Sequence, residues 1–381
     1  MGGREIVRGR LVLEGRVVAG RVIVEDGRIA GIEPDAGEQQ GPWILPGFVD
    51  MHVHGWGGYD AMGPEGSLDG MARALLGRGV TSFLPTAVTA PLAELRAFAD
   101  RVRAWMPAAP ADGAEPLGFN LEGPFISPDR VGAQNPAFVR APADVSRGDL
   151  APLLDGLRAT TIAPEAPGAL ELIGWLRGHG VEISLGHSVA TADEAHAGYD
   201  AGARTTTHLF NAMSGIHQHT PGLAAVALAR DDVYTEWIAD GHHVARVVWP
   251  LIMRTKPANR LVLVSDAIHL AGTSGREGTL GGLPVEIHGD RCTLVSNGAL
   301  AGSVIALDTA VRNLALAGFP VPLVAAAASA NPAELLGLSD RGRLAPGLRA
   351  DLVELDDGFR VRRVMRRGEW HQGPSAVDAE G

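Results

Sequence analysis

Leu45-Pro46-Gly47-Phe48-Val49-Asp50-Met51-His52-Val53-His54-Gly55 is the stretch from which the rest of the chain can be read. A Pro-Gly turn leads into a strand, and glycines lead out of it. Side chains alternate along a strand, so His52 and His54 share one face while Met51 and Val53 take the other. Two imidazoles on one face at a strand end can grip a metal ion. An ordinary pair of loop histidines would look the same in isolation. Ligands delivered to the same place by other strands would separate the two readings.

Working outward, the residues before this stretch alternate as short strands: Val7 to Leu13, Arg16 to Val24, and Arg28 to Ile32. Asp26-Gly27 between the last two is a hairpin signal. A polar link, Ala36 to Pro42, joins them to the opening motif. Beyond it the rhythm becomes strand, loop, helix. Seven more strands are expected, ending near Pro85, Glu122, Glu165, His187, His208, Asp240 and Asp266, with helices such as Leu92 to Trp105 and Ala192 to Ala201 between them. That alternation predicts a (β/α)8 TIM-type barrel. Thr273 to Leu294 reads as a hairpin-rich insertion over the barrel mouth, and the chain returns to strands from Ala350 to Leu355 and from Phe359 to Arg366. Both chain ends, 1–45 and 335–381, are expected to form one small β-sandwich beside a barrel of 46–334. The residues from Gly373 read as a disordered tail.

Composition narrows the function. The chain has 381 residues, a mean hydropathy of +0.08 and a net charge of −11. That balance argues against nucleic acid or an anionic membrane as the main partner. No apolar run approaches the roughly 20 residues needed to span a bilayer. The start carries no signal-peptide pattern. The single cysteine, Cys292, excludes an internal disulfide and a multi-cysteine zinc site, and fits a cytoplasmic location. Lys256 is the only lysine, which removes most Schiff-base or carboxylated-lysine chemistry.

On the expected barrel, His52 and His54 close strand one, Glu122 strand three, His187 strand five, His208 strand six and Asp266 strand eight. The carboxyl ends of barrel strands converge on one mouth, where barrel enzymes do their chemistry. Each residue alone has a structural explanation, such as a helix cap or a bond to a loop carbonyl. Together they form a set of imidazoles and carboxylates suited to a divalent transition metal. Glu122 could bridge two ions, one on His52 and His54, the other on His187 and His208. Asp266, beside an activated water, could take its proton and pass it to a leaving group. The chemistry is hydrolysis of an amide or a similar carbonyl.

The stretch Pro46 to Gly55, with Glu122, His187, His208 and Asp266, resembles the amidohydrolase superfamily. Within it, longer words are similar to the N-acetylglucosamine-6-phosphate deacetylase family: Leu121-Glu122-Gly123-Pro124-Phe125, Gly186-His187-Ser188-Val189-Ala190-Thr191, Thr207-His208-Leu209-Phe210-Asn211-Ala212-Met213 and Ile238-Ala239-Asp240-Gly241-His242-His243-Val244. The resemblance runs nearly end to end. It implies removal of acetate from an N-acetylated amino sugar phosphate, with zinc, or alternatively iron(II), as one or two bound ions, in a homodimer. It implies that Glu122, His187 and His208 hold the principal ion and that Asp266 is the proton shuttle. His243 would help polarise the substrate carbonyl, Asn211 and Ala212 would face the phosphate end, and Ala301 with Gly302 would line the sugar. Relatives lacking the first-strand histidines use one ion. Keeping His52 and His54 points to two.

Two positions depart from the family. Its Arg-Glu pair before Pro-Gly is His219-Thr220 here, and a histidine is a weaker, pH-dependent anion partner than arginine. Its histidine in a Gly-x-His setting is Gln134 here. His217, His219 and His242 are candidates to rebuild the pocket. The alternative readings are a different or unphosphorylated N-acetyl hexosamine, or a cyclic amide. The last commonly needs a carboxylated lysine, and Lys256 precedes strand eight, at the wrong end of the barrel.

Overall fold

The computed structural model describes residues 3–35 and 40–374. Part of the expected link and most of the expected tail therefore lie outside the described residues. Eight parallel strands follow in chain order: β1 (Phe48–Val53), β2 (Val80–Ala87), β3 (Phe119–Glu122), β4 (Leu157–Ile162), β5 (Glu182–Leu185), β6 (Thr205–Thr206), β7 (Tyr234–Trp237) and β8 (Leu261–Leu263). Beyond β8 the chain bonds back to β1. Asp266 N–H donates to the His52 carbonyl, and His54 and Gly55 N–H both donate to that of Ala267, all at 2.9 Å. This is the TIM-type barrel expected from the alternation.

Most strands are shorter than the sequence reading had them, although β2 runs on to Ala87. β5, β6 and β8 stop two or three residues before His187, His208 and Asp266. The cause is local. These three residues adopt φ of 47°, 27° and 49°, in the left-handed region, which takes the backbone out of strand geometry.

Helices wrap the strands because their apolar residues fall on one stripe. Leu92–Trp105 buries Leu95, Phe98, Ala99 and Val102, spaced three and four apart. Ala192–Asp200 starts where Thr191 and Glu194 cap each other reciprocally. Phe83, Phe98, Phe119, Trp237 and Trp249 anchor the layer between strands and helices. Each such side chain contributes about 1.5–3 kcal/mol by burial. Leu84, Ala159 and Val262 pack with Leu335 and Leu336, which end a short helix, Ala330–Leu335. Arg158 and Arg204, at the starts of β4 and β6, bond the carbonyls of Leu336 and Leu335, so this helix closes the amino end. The polar residues are left at the opposite mouth.

The chain ends combine as expected. Glu5–Leu13, Arg16–Glu25, Arg28–Pro34 and Trp43–Pro46 join Leu352–Leu355, Val361–Arg366 and Glu369–Gln372 in one seven-stranded sheet. Val7, Leu11 and Val22 from one half and Leu352 and Met365 from the other share a core, so the halves face each other as a small sandwich. Trp43–Pro46 straddles the expected boundary at 45/46, and its last residue pairs with Leu352. The expected insertion over the mouth is a three-stranded sheet of Glu277–Leu280, Leu283–His288 and Arg291–Leu294.

Candidate active site

The site grows from β1. Gly55 is required there: a Cβ would lie 2.5 Å from the Tyr59 carbonyl oxygen and 2.7 Å from the His269 nitrogen. The turn that follows can thus fold back beside His54. The His52 and His54 rings sit 5.2 Å apart, centroid to centroid. His54 Nε2 lies 3.1 Å from Glu122 Oε2 and 3.2 Å from Asp266 Oδ1. His52 Nε2 lies 3.6 Å from both Glu122 Oε1 and Asp266 Oδ1. On the other side of Glu122, Oε1 is 3.0 Å from His187 Nε2 and 2.9 Å from His208 Nε2, and those nitrogens are 3.1 Å apart. Four histidines and two carboxylates from five strand ends thus form two groups that share Glu122: His52, His54, Glu122 and Asp266; and Glu122, His187 and His208.

The donor set fits a metal. His187 Nδ1 is 2.8 Å from the Arg130 carbonyl and His54 Nδ1 is 3.1 Å from that of Thr86. A carbonyl only accepts, so Nδ1 carries the hydrogen in both rings and Nε2 offers its lone pair. In the neutral rings those lone pairs face carboxylate oxygens of Glu122 and Asp266, which is repulsive without a cation. Zinc ligands about 2.0–2.2 Å from the ion stand about 3.3–3.6 Å apart at tetrahedral angles, close to the spacings found. With protons as the only cations, burial lowers the basicity of His54, but Asp266 and Glu122 outweigh it and push its pKa up to about 9. Burial raises the Glu122 carboxyl. The charge of His52 and the bonds from His187 and His208 overcome that and hold it well below the usual carboxylate range.

Beside this cluster is a cavity of about 260 Å³, lined among others by His54, Gln134, Asn211, His243 and Leu280. Across His54 lies a larger cavity, about 800 Å³, lined by Tyr59, Asp60, Glu94 and His269. The smaller one borders both ligand groups and is the one that can present a substrate to them. Ala212 and Gly302 line it too, while Ala301 is fully buried behind it. Gln134 is a contact of Glu122 itself: its amide donates to Oε2 at 2.5 Å, and its oxygen accepts the Thr89 N–H at 2.7 Å. His219 is exposed, on a loop where His217 Nδ1 accepts from Thr220, and it is outside the cavity lining. His242 engages the three-stranded sheet, accepting from Arg291 at 2.9 Å and meeting Asp290 at 2.8 Å.

The sequence profile of the amidohydrolase family matches residues 43–371. The chain belongs to the amidohydrolase family. It is 36% identical to the N-acetylgalactosamine-6-phosphate deacetylase of Escherichia coli O157:H7, an alignment covering 96% of this chain and 98% of that one. It is 35% identical to the N-acetylglucosamine-6-phosphate deacetylase of Bacillus subtilis, covering 94% of each. The crystal structure of N-acetylglucosamine-6-phosphate deacetylase from Thermotoga maritima superposes with a TM-score of 0.90 at 34% identity, over 97% of this chain and 100% of that one.

The amidohydrolase lacks the lysine that a carboxylated-lysine site needs. Lys256 Nζ donates to the carbonyls of Ala227, Arg230 and Val233 at 2.9, 2.6 and 2.8 Å, where the chain enters β7 and far from the mouth. Two acids were given no role in the sequence reading. Asp240 takes the N–H groups of His242 and His243 on one oxygen, at 2.8 and 2.9 Å, and meets His243 Nδ1 with the other at 2.6 Å. Glu236, buried in β7, reaches His52. Its signal was an acid inside Val233-Tyr234-Thr235-Glu236-Trp237, an otherwise strand-like run with nothing to expose a charge. No helix among the described residues is long and apolar enough to cross a membrane.

Proposed function

We propose that this amidohydrolase removes the acetyl group of an N-acetylated amino sugar 6-phosphate, N-acetylglucosamine 6-phosphate first, giving acetate and the free amine. The observation that carries the reading is Glu122 standing between two pairs of histidines, with Asp266 closing one of them, beside a sugar-sized cavity. Near-full-length likeness to deacetylases of two epimeric substrates supports the same class.

In this reading His52, His54, Glu122, His187, His208 and Asp266 hold two divalent ions, zinc before iron(II). When bound, they supply Lewis acidity and make water a stronger acid. Asp266 takes the proton of the attacking water as the new C–O bond forms. It then delivers that proton to the amide nitrogen as the C–N bond breaks. His243 binds the carbonyl oxygen. Its Nδ1 hydrogen goes to Asp240, so Nε2 donates to substrate only in the imidazolium form. Burial disfavours that form, but the Asp240 carboxylate prevails and raises the His243 pKa above the ordinary value. Asn211 and Ala212 face the phosphate end, Gln134 and Gly302 the sugar. The proposed assembly is a homodimer in the cytoplasm.

The test is acetate release from the glucosamine and galactosamine N-acetyl 6-phosphates and from their unphosphorylated sugars, in parallel, with zinc and after chelation. Turnover on at least one phosphorylated sugar, abolished by chelation, is expected. Absence of acetate from all four with zinc present would reject the reading. With His219 where the resemblance implies an arginine, removing the phosphate should cost this enzyme less than it costs an arginine-bearing relative. Equal losses would refute that part.

A further inference from the structure

The geometry points to Glu236 as a positioning residue: it fixes which ring nitrogen His52 presents to the cluster, and through it the affinity of the ion on the His52–His54 side. This rests on the reading of His52, His54, Glu122 and Asp266 as ligands. Glu236 is 2% exposed. Its Oε2 lies 3.1 Å from His52 Nδ1 and 3.3 Å from the backbone nitrogen of His208, which donates to it. A carboxylate can only accept at both places. In the neutral ring that a metal ion requires, the hydrogen of His52 therefore sits on Nδ1, and Nε2 is left with its lone pair. That nitrogen is buried without a hydrogen-bond partner, 3.6 Å from one oxygen each of Glu122 and Asp266. The spacing is long for a hydrogen bond and suited to ligands of one cation.

Glu236 belongs to neither group that could hold an ion, so its effect passes through His52. Among these rings only His52 has its outer nitrogen on a charged side chain; His54 and His187 use backbone carbonyls. A carboxylate behind an imidazole makes it a stronger ligand and holds its orientation. Glu236 is also the fourth buried acid of the mouth, with Asp50, Glu122 and Asp266. None of the four has an arginine or lysine partner among the ion pairs of the described residues.

The experiment compares wild type, Glu236→Gln and Glu236→Asp, stripped with chelator and dialysed against buffered free Zn²⁺, with zinc per chain measured by mass spectrometry. Wild type should take two ions. Glu236→Gln should keep the ion of Glu122, His187 and His208 and bind the other about 10- to 100-fold more weakly. Glu236→Asp, which keeps the charge at shorter reach, should fall between. A role in folding alone would lower the melting temperature of the metal-free protein and leave both zinc affinities unchanged, which would overturn the inference. Equal weakening of both ions would overturn the assignment to the His52 side. Wild type taking up no zinc would reject the metal reading itself, and the inference with it. Should Glu236→Gln not fold, ¹⁵N-histidine spectra of zinc-loaded wild type decide: a proton on His52 Nδ1 is expected, and one on Nε2 would overturn the proposal.

Discussion

Buried acids meet different partners at the two ends of this barrel. At the amino end, Glu182 opens β5 against Arg204, with contacts of 2.9 and 2.5 Å, and Arg177 at 2.7 Å. In the helix layer around the strands, Arg78 holds Asp308 at 3.1 Å, and beneath the barrel Arg349 holds Asp351 at 2.8 Å. At the carboxyl end, Glu122, Glu236 and Asp266 meet histidines. An arginine neutralises a buried acid permanently. A histidine does so only if it takes a proton or shares a metal ion. The amino end is therefore electrostatically closed, and the mouth is left open to an exchangeable cation.

That contrast can be broken in four places. At the mouth, Asp266→Asn should lower turnover about 10²- to 10⁴-fold while the ion of Glu122, His187 and His208 stays bound; near-normal turnover would remove Asp266 from the shuttle role. In the helix layer, Arg78→Met leaves Asp308 buried and unpaired. It should cost about 3–5 kcal/mol in urea unfolding, with kcat/KM per folded molecule unchanged. A variant that stays stable but inactive would show that the mouth depends on this arginine-held acid.

Zinc should stabilise the stripped protein by about 2.7 kcal/mol at a free concentration a hundred times Kd, seen as a rise in Tm. An unchanged Tm would mean that the mouth is neutralised without an ion. The smallest effect concerns pH. The folded pKa of His243 is raised, so the stability it contributes is full below the unfolded value and is lost as pH rises through the folded one. Asp240→Asn removes the cause. The alkaline limb of kcat/KM should then move to lower pH, whereas an unmoved limb would detach Asp240 from His243.

Much of this was legible beforehand because strand–helix alternation and strand-end polar residues have local signatures. His52 and His54 could be paired from their spacing alone. His187 and His208 could be placed at strand ends, but not seen to leave strand geometry there. Positive φ at non-glycine residues costs about 1–3 kcal/mol each, and the surrounding contacts sustain it, with no trace in local pattern. His219 is the converse case. A sequence word suggested a pocket residue, but the loop carrying it faces solvent.

Taken alone, the sequence determined the barrel, the small sheet made of both chain ends, and the identity of six groups able to bind a metal. Periodicity and residue type are properties of short segments. The tertiary structure decided which oxygen of Glu122 faces which histidine, that Gln134 bonds Glu122, and that Glu236 stands behind His52. Those contacts join residues 12 to 184 positions apart, and their directions depend on how the strands close around the barrel.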